Sequence, residues 1–214
     1  MIYPVNGLQR EIRVAIDQNM VSIPLSNLGD IDTLSLDDII RSNIVDAVRV
    51  VEMNAPIRIL GEGVPFGESI GWKSEVGIGC GYIHLPEDFM RLVSFQMSDW
   101  SRAVTVAIGE ESPLYEIQTS RYPGIRGCPQ KPVVAITQQP IGLVLEFYSC
   151  TLGEGVYVKR ARYIPFPKIE NEKIEFCDKI KPAVVHYAAY LTAMSVKDED
   201  LAKSMLSISK DLMK

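Results

Sequence analysis

Residues 82–92 read YIHLPEDFMRL, and this stretch decides what kind of fold the middle of the chain adopts. Two short runs of strand-forming residues flank a Pro-Glu-Asp sequence. Pro86 has no backbone N–H to give to a strand ladder, so the ladder breaks there, and Asp88 can stabilise a turn through its side chain. The stretch predicts a strand, a turn and a second strand, and the acidic pair Glu87 and Asp88 is assigned to the turn rather than to catalysis.

The sequence on both sides of this stretch also predicts strands, over most of residues 82–166. Val, Ile, Phe and Tyr are frequent there, and Gly, Pro, Asp and Asn interrupt the runs. The predicted strands are 82–85, 89–98, 102–108, 132–138, 141–149 and 156–164. Residues 61–81 contain seven glycines and show no helical period, which indicates loops and short turns.

Helices are predicted at both ends of the chain. Ser35 is a good N-cap for a helix over about 36–54, and a shorter helix capped by Asn6 precedes it. Near the C-terminus Pro182 suits the first turn of a third helix, and Asp198 can cap a fourth. The stripe predicted to be buried on the third helix consists of Val184, Tyr187, Leu191 and Met194.

Together these segments predict an α+β fold, in which the N- and C-terminal helices form a helical bundle with an inserted antiparallel β-subdomain. Residues 1–60 are predicted to be the N-terminal helices of the bundle. Residues 61–166 are the Gly-rich loop and the inserted β-subdomain, and residues 167–214 are the C-terminal helix hairpin. The two ends are placed together because each amphipathic helix needs a partner for its apolar stripe.

Composition excludes several classes of function. The net charge of −5 gives no support to general nucleic-acid binding, and the basic run Lys159, Arg160 and Arg162 is interpreted as a solvated strand face. Four cysteines without a CxxC pair argue against a zinc module or a disulfide framework and fit a reducing compartment. The start resembles no signal peptide, and no apolar run reaches the roughly 20 residues that span a bilayer. We therefore expect a soluble chain with no cofactor and no membrane contact.

One stretch matches a catalytic motif. Residues 67–71, GESIG, satisfy G-x-S-x-G, in which Ser69 would be a nucleophile on a tight strand-to-helix turn. We see no apolar strand before it and no helix after it, and the chain has only two histidines, His84 and His186. The chain is expected not to be an enzyme. Two alternatives remain open: a Ser-dependent hydrolase that uses Ser69, and a small monomeric binding domain that uses the β-region.

Three motifs carry a resemblance to a known family. They are the LPxDF-x-RL strand turn at Leu85–Leu92, the GxP sequence followed by a strand pair at Gly127–Phe147, and the helix hairpin at Ala183–Ala202. In this order, after N-terminal helices, they resemble the head–tail adaptor proteins (tail tubular, or connector ring, proteins) of short-tailed bacteriophages. That group includes the ring proteins of crAss-like phages.

The resemblance implies a structural virion protein and no cofactor. Such proteins form homo-oligomeric rings, commonly of twelve copies, that dock to the portal protein and contact other tail or ring proteins. The ring lies at the head–tail junction, after assembly in the host cytoplasm, and extends the channel used in DNA ejection. DNA would pass through without sequence-specific contacts, which suits an acidic chain because few Lys and Arg means few phosphate contacts.

Residues 110–131 form a long predicted connection with few apolar anchors. A loop of this length inside a compact domain is uncommon unless it is functional or disordered, and Tyr and Arg are enriched at interface hot spots. The candidate subunit or portal interface therefore consists of Tyr115, Arg121, Tyr122 and Arg126. The alternative is a mobile surface loop.

Overall fold

The computed structural model describes residues 1–19, 35–67, 69–73, 79–118, 120, 122, 124–151 and 155–214, and within them the chain is mixed α+β, as predicted. The α-helices are α1 (Val5–Asn19), α2 (Leu36–Asn54), α3 (Pro113–Gln118), α4 (Lys181–Ser195) and α5 (Glu199–Leu212). The strands are β1 (Ile2–Pro4), β2 (Val64–Pro65), β3 (Gly71–Trp72), β4 (Gly81–His84), β5 (Phe89–Met97), β6 (Ile108–Gly109), β7 (Val134–Gln139), β8 (Gly142–Phe147), β9 (Val158–Pro165), β10 (Ile169–Glu170) and β11 (Lys173–Glu175).

The described residues form two compact units. The helical unit consists of Met1–Gly61 and Phe166–Lys214, and the β unit consists of Glu62–Pro165. The helical unit contains α1, α2, α4 and α5 together with a small terminal sheet of strand order β1-β11-β10.

Helix α4 is the element against which α1, α2 and α5 of the helical unit pack. The predicted start of α2 is confirmed, because the Ser35 side chain accepts a hydrogen bond from the backbone N–H of Asp38. Asp198 caps α5 as predicted and accepts from the N–H of Leu201 at 3.1 Å. The prediction for Asn6 was wrong: α1 begins at Val5, so Asn6 lies in its first turn.

The predicted stripe of α4 is wrong apart from Val184. Met194 is 49% exposed, and Tyr187 and Leu191 are only half-buried. The buried positions are mostly small residues: Ala183, Val184, Val185, Ala188, Ala189, Thr192 and Ala193. Small side chains let neighbouring helices approach α4 closely, so the large residues are left on the more exposed side.

The β unit is a sandwich of two sheets. The three-stranded sheet has the order β2-β9-β5, and the five-stranded sheet has the order β3-β4-β8-β7-β6. Apolar side chains from both sheets meet between them, as in the contact of Phe95 of β5 with Phe147 of β8, whose ring centroids lie 6.1 Å apart. Their alternation along the strands leaves each sheet a second face that points away from this core.

The stretch that opens the β-region is a corner between the two sheets. Strand, turn and strand are confirmed, with the N–H of Phe89 donating to the carbonyl of Pro86 at 3.0 Å. The two strands do not form one ribbon, however, because β4 pairs with β8 and β5 pairs with β9. Asp88 accepts from the hydroxyl of Tyr163 on β9 at 2.7 Å, so its side chain ties the turn to the three-stranded sheet.

Three strand predictions need correction. Residues 102–108 were predicted as one strand, but they contribute only a single bridge from Val104 to Phe95 and the first residue of β6. Strand β6 runs parallel to β7, so the sheet is not wholly antiparallel. Residues 61–81 were predicted as loops and turns, but they contain β2, β3 and the start of β4.

Candidate functional site

The predicted interface loop folds over the second face of the five-stranded sheet. The sequence did not predict α3, which lies in this loop and turns Tyr115 and Gln118 toward the sheet. Tyr115 packs with Ile108 against a small buried cluster made of Cys80, Ala135 and Tyr148. The loop therefore packs against the five-stranded sheet of the same unit through α3.

Beneath α3 lies a buried carboxylate, Glu146 of β8, whose exposure is 2%. It forms an ion pair with Lys73 and accepts a hydrogen bond from the hydroxyl of Tyr148. The side-chain amide of Gln139 donates to it at 2.6 Å, and the hydroxyl of Tyr115 lies 3.4 Å from its other oxygen. We call these five residues the Glu146 cluster; it gives a buried charge the donors that it needs.

The electrostatics of the cluster follow from this geometry. Burial by itself raises the pKa of Glu146, but the hydrogen bonds from Lys73 and Tyr148 outweigh it and hold the pKa below its ordinary value. Burial raises the pKa of Tyr148, and the hydrogen bond to the carboxylate raises it further. Glu146 is therefore ionised and Tyr148 is neutral at pH 7.

A second set of contacts fixes the end of the loop. A guanidinium nitrogen of Arg126 donates to the sulfur of Cys80 at 3.0 Å, and the N–H of Gly127 donates to the side chain of Gln118 at 2.8 Å. Burial raises the pKa of the Cys80 thiol, so Cys80 is a neutral acceptor here rather than a reactive thiolate.

The structure thus separates the four predicted interface residues. Tyr115 contacts Glu146 of β8, and Arg126 contacts Cys80 just before β4, so both side chains lie against their own chain. Tyr122 is 74% exposed. Arg121 lies outside the described residues. Of the described three, Tyr122 alone presents most of its side chain to the exterior.

Exposed apolar residues surround Tyr122 in sequence, and the prediction missed them. Leu114 is 53% exposed, Ile117 is 39% exposed, and Ile125 is also exposed. Leu114 and Ile117 are three positions apart on α3, so they lie on neighbouring positions of its surface. The direction of Ile117 follows only from the structure, because it depends on Tyr115 and Gln118 being placed against the sheet.

The GESIG motif does not have the surroundings of a catalytic serine. Ser69 is exposed in the connection between β2 and β3, so a strand follows it rather than a helix. The strand-to-helix turn that activates a G-x-S-x-G serine is therefore missing from the described part of this connection.

Two residues of the basic run on β9 are solvent-exposed, as predicted, and the third, Arg162, is half-buried. Lys159 and Arg160 are exposed, and Arg162 donates to the carbonyl of Gly63 at 3.2 Å. Ala161 and Tyr163 alternate with Arg160 and Arg162 and belong to the core between the sheets. The arginines accordingly point away from the core, on the outer face of the three-stranded sheet.

The described residues also bear on metal binding and on membrane insertion. They contain no group of three or more His, Cys, Asp or Glu side chains placed to hold a metal ion. None of their helices combines the length and the apolar character needed to cross a membrane. No protein-family model matches the chain, and no curated protein matches it in sequence.

Proposed function

We propose that this chain is a head–tail adaptor of a short-tailed bacteriophage, a structural protein without catalytic activity. In this proposal the N- and C-terminal helices form a bundle that carries the inserted β-subdomain. Copies assemble into a ring, commonly of twelve, which docks to the portal protein at the head–tail junction of the virion. The ring extends the DNA channel, and DNA passes through it without sequence-specific contacts.

The observation that carries the proposal is the exposed apolar surface of the α3 loop. Leu114, Ile117, Tyr122 and Ile125 are all exposed on a segment whose inner side is fixed by the Glu146 cluster and by Arg126. The contacts of Tyr115 and Arg126 anchor α3 and the end of the loop, and a mobile surface loop would lack such contacts. A rigid support under exposed apolar side chains is typical of a surface that binds a protein partner.

The acidic balance of the chain agrees with the channel role. With a net charge of −5, the chain offers few cations to hold phosphate groups as DNA slides past. Assembly in the host cytoplasm also fits the four free cysteines, none of which is paired in a disulfide.

The experiment is a measurement of assembly on the full chain. Wild-type protein is followed by native mass spectrometry and negative-stain microscopy at rising concentration, alone and with portal particles of the same phage. We expect closed rings, formed alone or on the portal. The double variant Leu114→Ser with Tyr122→Ala should weaken assembly at least tenfold.

The matched control is Ile141→Ser, which changes an equally exposed apolar residue in the turn between β7 and β8. It should assemble like the wild type. A wild-type chain that stays monomeric at every concentration and on the portal would contradict the proposal and favour a small monomeric binding domain. Esterase activity that disappears in Ser69→Ala would instead favour the hydrolase.

A further inference from the structure

The β unit presents two outer faces that carry opposite charge. One is the outer side of α3, which covers the five-stranded sheet, and the other is the exposed stretch from Tyr157 to Arg160, where β9 of the three-stranded sheet begins. The apolar core of the sandwich lies between the two sheets. The two faces therefore look in opposite directions from the same compact unit.

The first face is acidic and apolar. It consists of the exposed residues of α3 and its flank, Glu111, Pro113, Leu114, Glu116 and Ile117, and we call it the α3 face. Its side chains are exposed because Tyr115 and Gln118 occupy the side of the helix that meets the sheet. Two carboxylates beside two aliphatic side chains give this face a negative rim and an apolar centre.

The second face is basic and carries an exposed aromatic ring. It consists of the exposed residues Tyr157, Lys159 and Arg160, with the half-buried Arg162 beside them, and we call it the β9 face. Tyr157 is 64% exposed at the start of the strand. In the part of the chain that the structure describes, neither Lys159 nor Arg160 lies within ion-pair distance of a carboxylate.

We propose that the α3 face of one copy packs against the β9 face of the next copy, so that these two faces form the subunit interface of the ring. This inference rests on the ring assembly proposed above and names the surfaces that form it. A closed ring needs a heterologous contact, in which two different surfaces of the same chain meet. Opposite charge on opposite sides of one unit satisfies that requirement, whereas a two-fold contact would bring each face against itself and place like charges together.

The chemistry of the two faces is complementary in detail. Glu111 and Glu116 can pair with Lys159 and Arg160 at the rim, where such pairs select the partner and speed association. Tyr157 can lie against Leu114 and Ile117 and remove apolar surface from water. Tyr and Arg are also the residue types most enriched at the energetic centre of interfaces.

Charge reversal on the full chain tests this pairing. The first variant carries Glu111→Lys with Glu116→Lys, and the second carries Lys159→Glu with Arg160→Glu. Each variant alone brings like charges together and should need at least a tenfold higher concentration than the wild type to form rings. An equimolar mixture should regain assembly, as rings that contain equal numbers of the two variants.

The control variant is Asp17→Lys with Glu62→Lys, which makes the same change in net charge as the first variant, at exposed positions outside both faces. It should assemble like the wild type, and circular dichroism checks that every variant is folded. Native mass spectrometry counts the two variants in each ring, because their masses differ.

The outcomes separate this inference from the proposed function. Restored assembly in the mixture, at a concentration at which neither variant assembles alone, supports the pairing. Rings that persist unchanged in both reversal variants overturn the pairing and leave the ring assembly standing. Failure of the mixture to assemble, although the wild type forms rings, also overturns the pairing. A wild type that forms no ring overturns both proposals.

Discussion

The five-stranded sheet buries both of its faces, and the face toward α3 combines apolar contacts with a buried charge. On the side of the three-stranded sheet, Leu145 and Phe147 of β8 enter an apolar core. On the side of α3, Glu146 of the same strand enters a cluster of hydrogen bonds and one ion pair. Removing atoms from an apolar core lowers the stability of the protein in proportion to the size of the group removed. Removing one donor from a buried polar cluster leaves its acceptor unsatisfied and weakens the whole cluster. The first face holds the sheets together, and the second fixes the position of α3.

The largest effect is expected on the apolar face. Phe147→Ala removes a fully buried ring that contacts Phe95 and Trp72, and should lower the free energy of unfolding by about 3–5 kcal/mol. Denaturant unfolding followed by tryptophan fluorescence measures it. Tyr122→Ala removes an exposed ring from the same unit and should cost less than about 0.5 kcal/mol. Equal losses in the two variants would mean that Phe147 does not lie in a core.

A smaller effect is expected on the polar face. Glu146→Gln keeps the shape of the side chain but removes its charge, so Lys73 loses its ion-pair partner and the hydroxyl of Tyr148 loses a charged acceptor. The free energy of unfolding should fall by about 2 kcal/mol, within the range for hydrogen bonds to charged groups. Relative to the wild type, the variant should show a larger increase in the hydrogen-exchange rate of α3 than in that of β5. If Glu146→Gln were as stable as the wild type, the charge of Glu146 would not contribute to the stability of this face.

The polar face should also respond to pH, and the apolar face should not. The pKa of Glu146 is lowered in the folded chain, so its contribution to stability is present above its unfolded pKa of about 4.3 and is lost as the pH falls through the folded value. The difference in unfolding free energy between the wild type and Glu146→Gln should therefore shrink below about pH 4. Other carboxylates titrate in both proteins and cancel. A difference that stays constant from pH 7 to pH 3 would contradict the lowered pKa.

The smallest effect is expected outside both faces. Ser69→Ala changes an exposed side chain in the connection between β2 and β3 and should alter the free energy of unfolding by less than about 0.5 kcal/mol. Ring formation should also be unchanged. A clear loss of stability would place Ser69 in a contact that its exposure does not indicate.

Caps and apolar periodicity predicted the long helices well. They did not predict the buried side of a helix that packs through small residues, or a helix as short as α3. Ser35 and the periodic stripe after it predicted α2 because cap and stripe lie within one segment. The buried side of α4 is mostly alanine, which gives a weak hydrophobic signal, so the larger residues indicated the wrong side. Helix α3 is too short to show a period, and its inward positions are a tyrosine and a glutamine.

The candidate site could be predicted only as a segment. The length of the 110–131 connection and its Tyr and Arg content indicated where to look, but the direction of each side chain depends on the sheet beneath it. By alternation along β8, Glu146 takes the place of a solvent-facing residue, and only the folded loop makes it buried. The corner at Pro86 shows the same limit, because the partners of β4 and β5 are strands far along the chain.

The discontinuity of the helical unit determines the order in which the protein can fold during synthesis. Helices α1 and α2 leave the ribosome first, but the helix against which they pack, α4, lies beyond the whole β unit. At about 5–20 residues per second, translating the intervening segment takes roughly 5–20 s. Throughout that interval the apolar stripes of α1 and α2 lack the helix against which they pack. This is therefore the period in which chaperones can bind them and neighbouring nascent chains can aggregate.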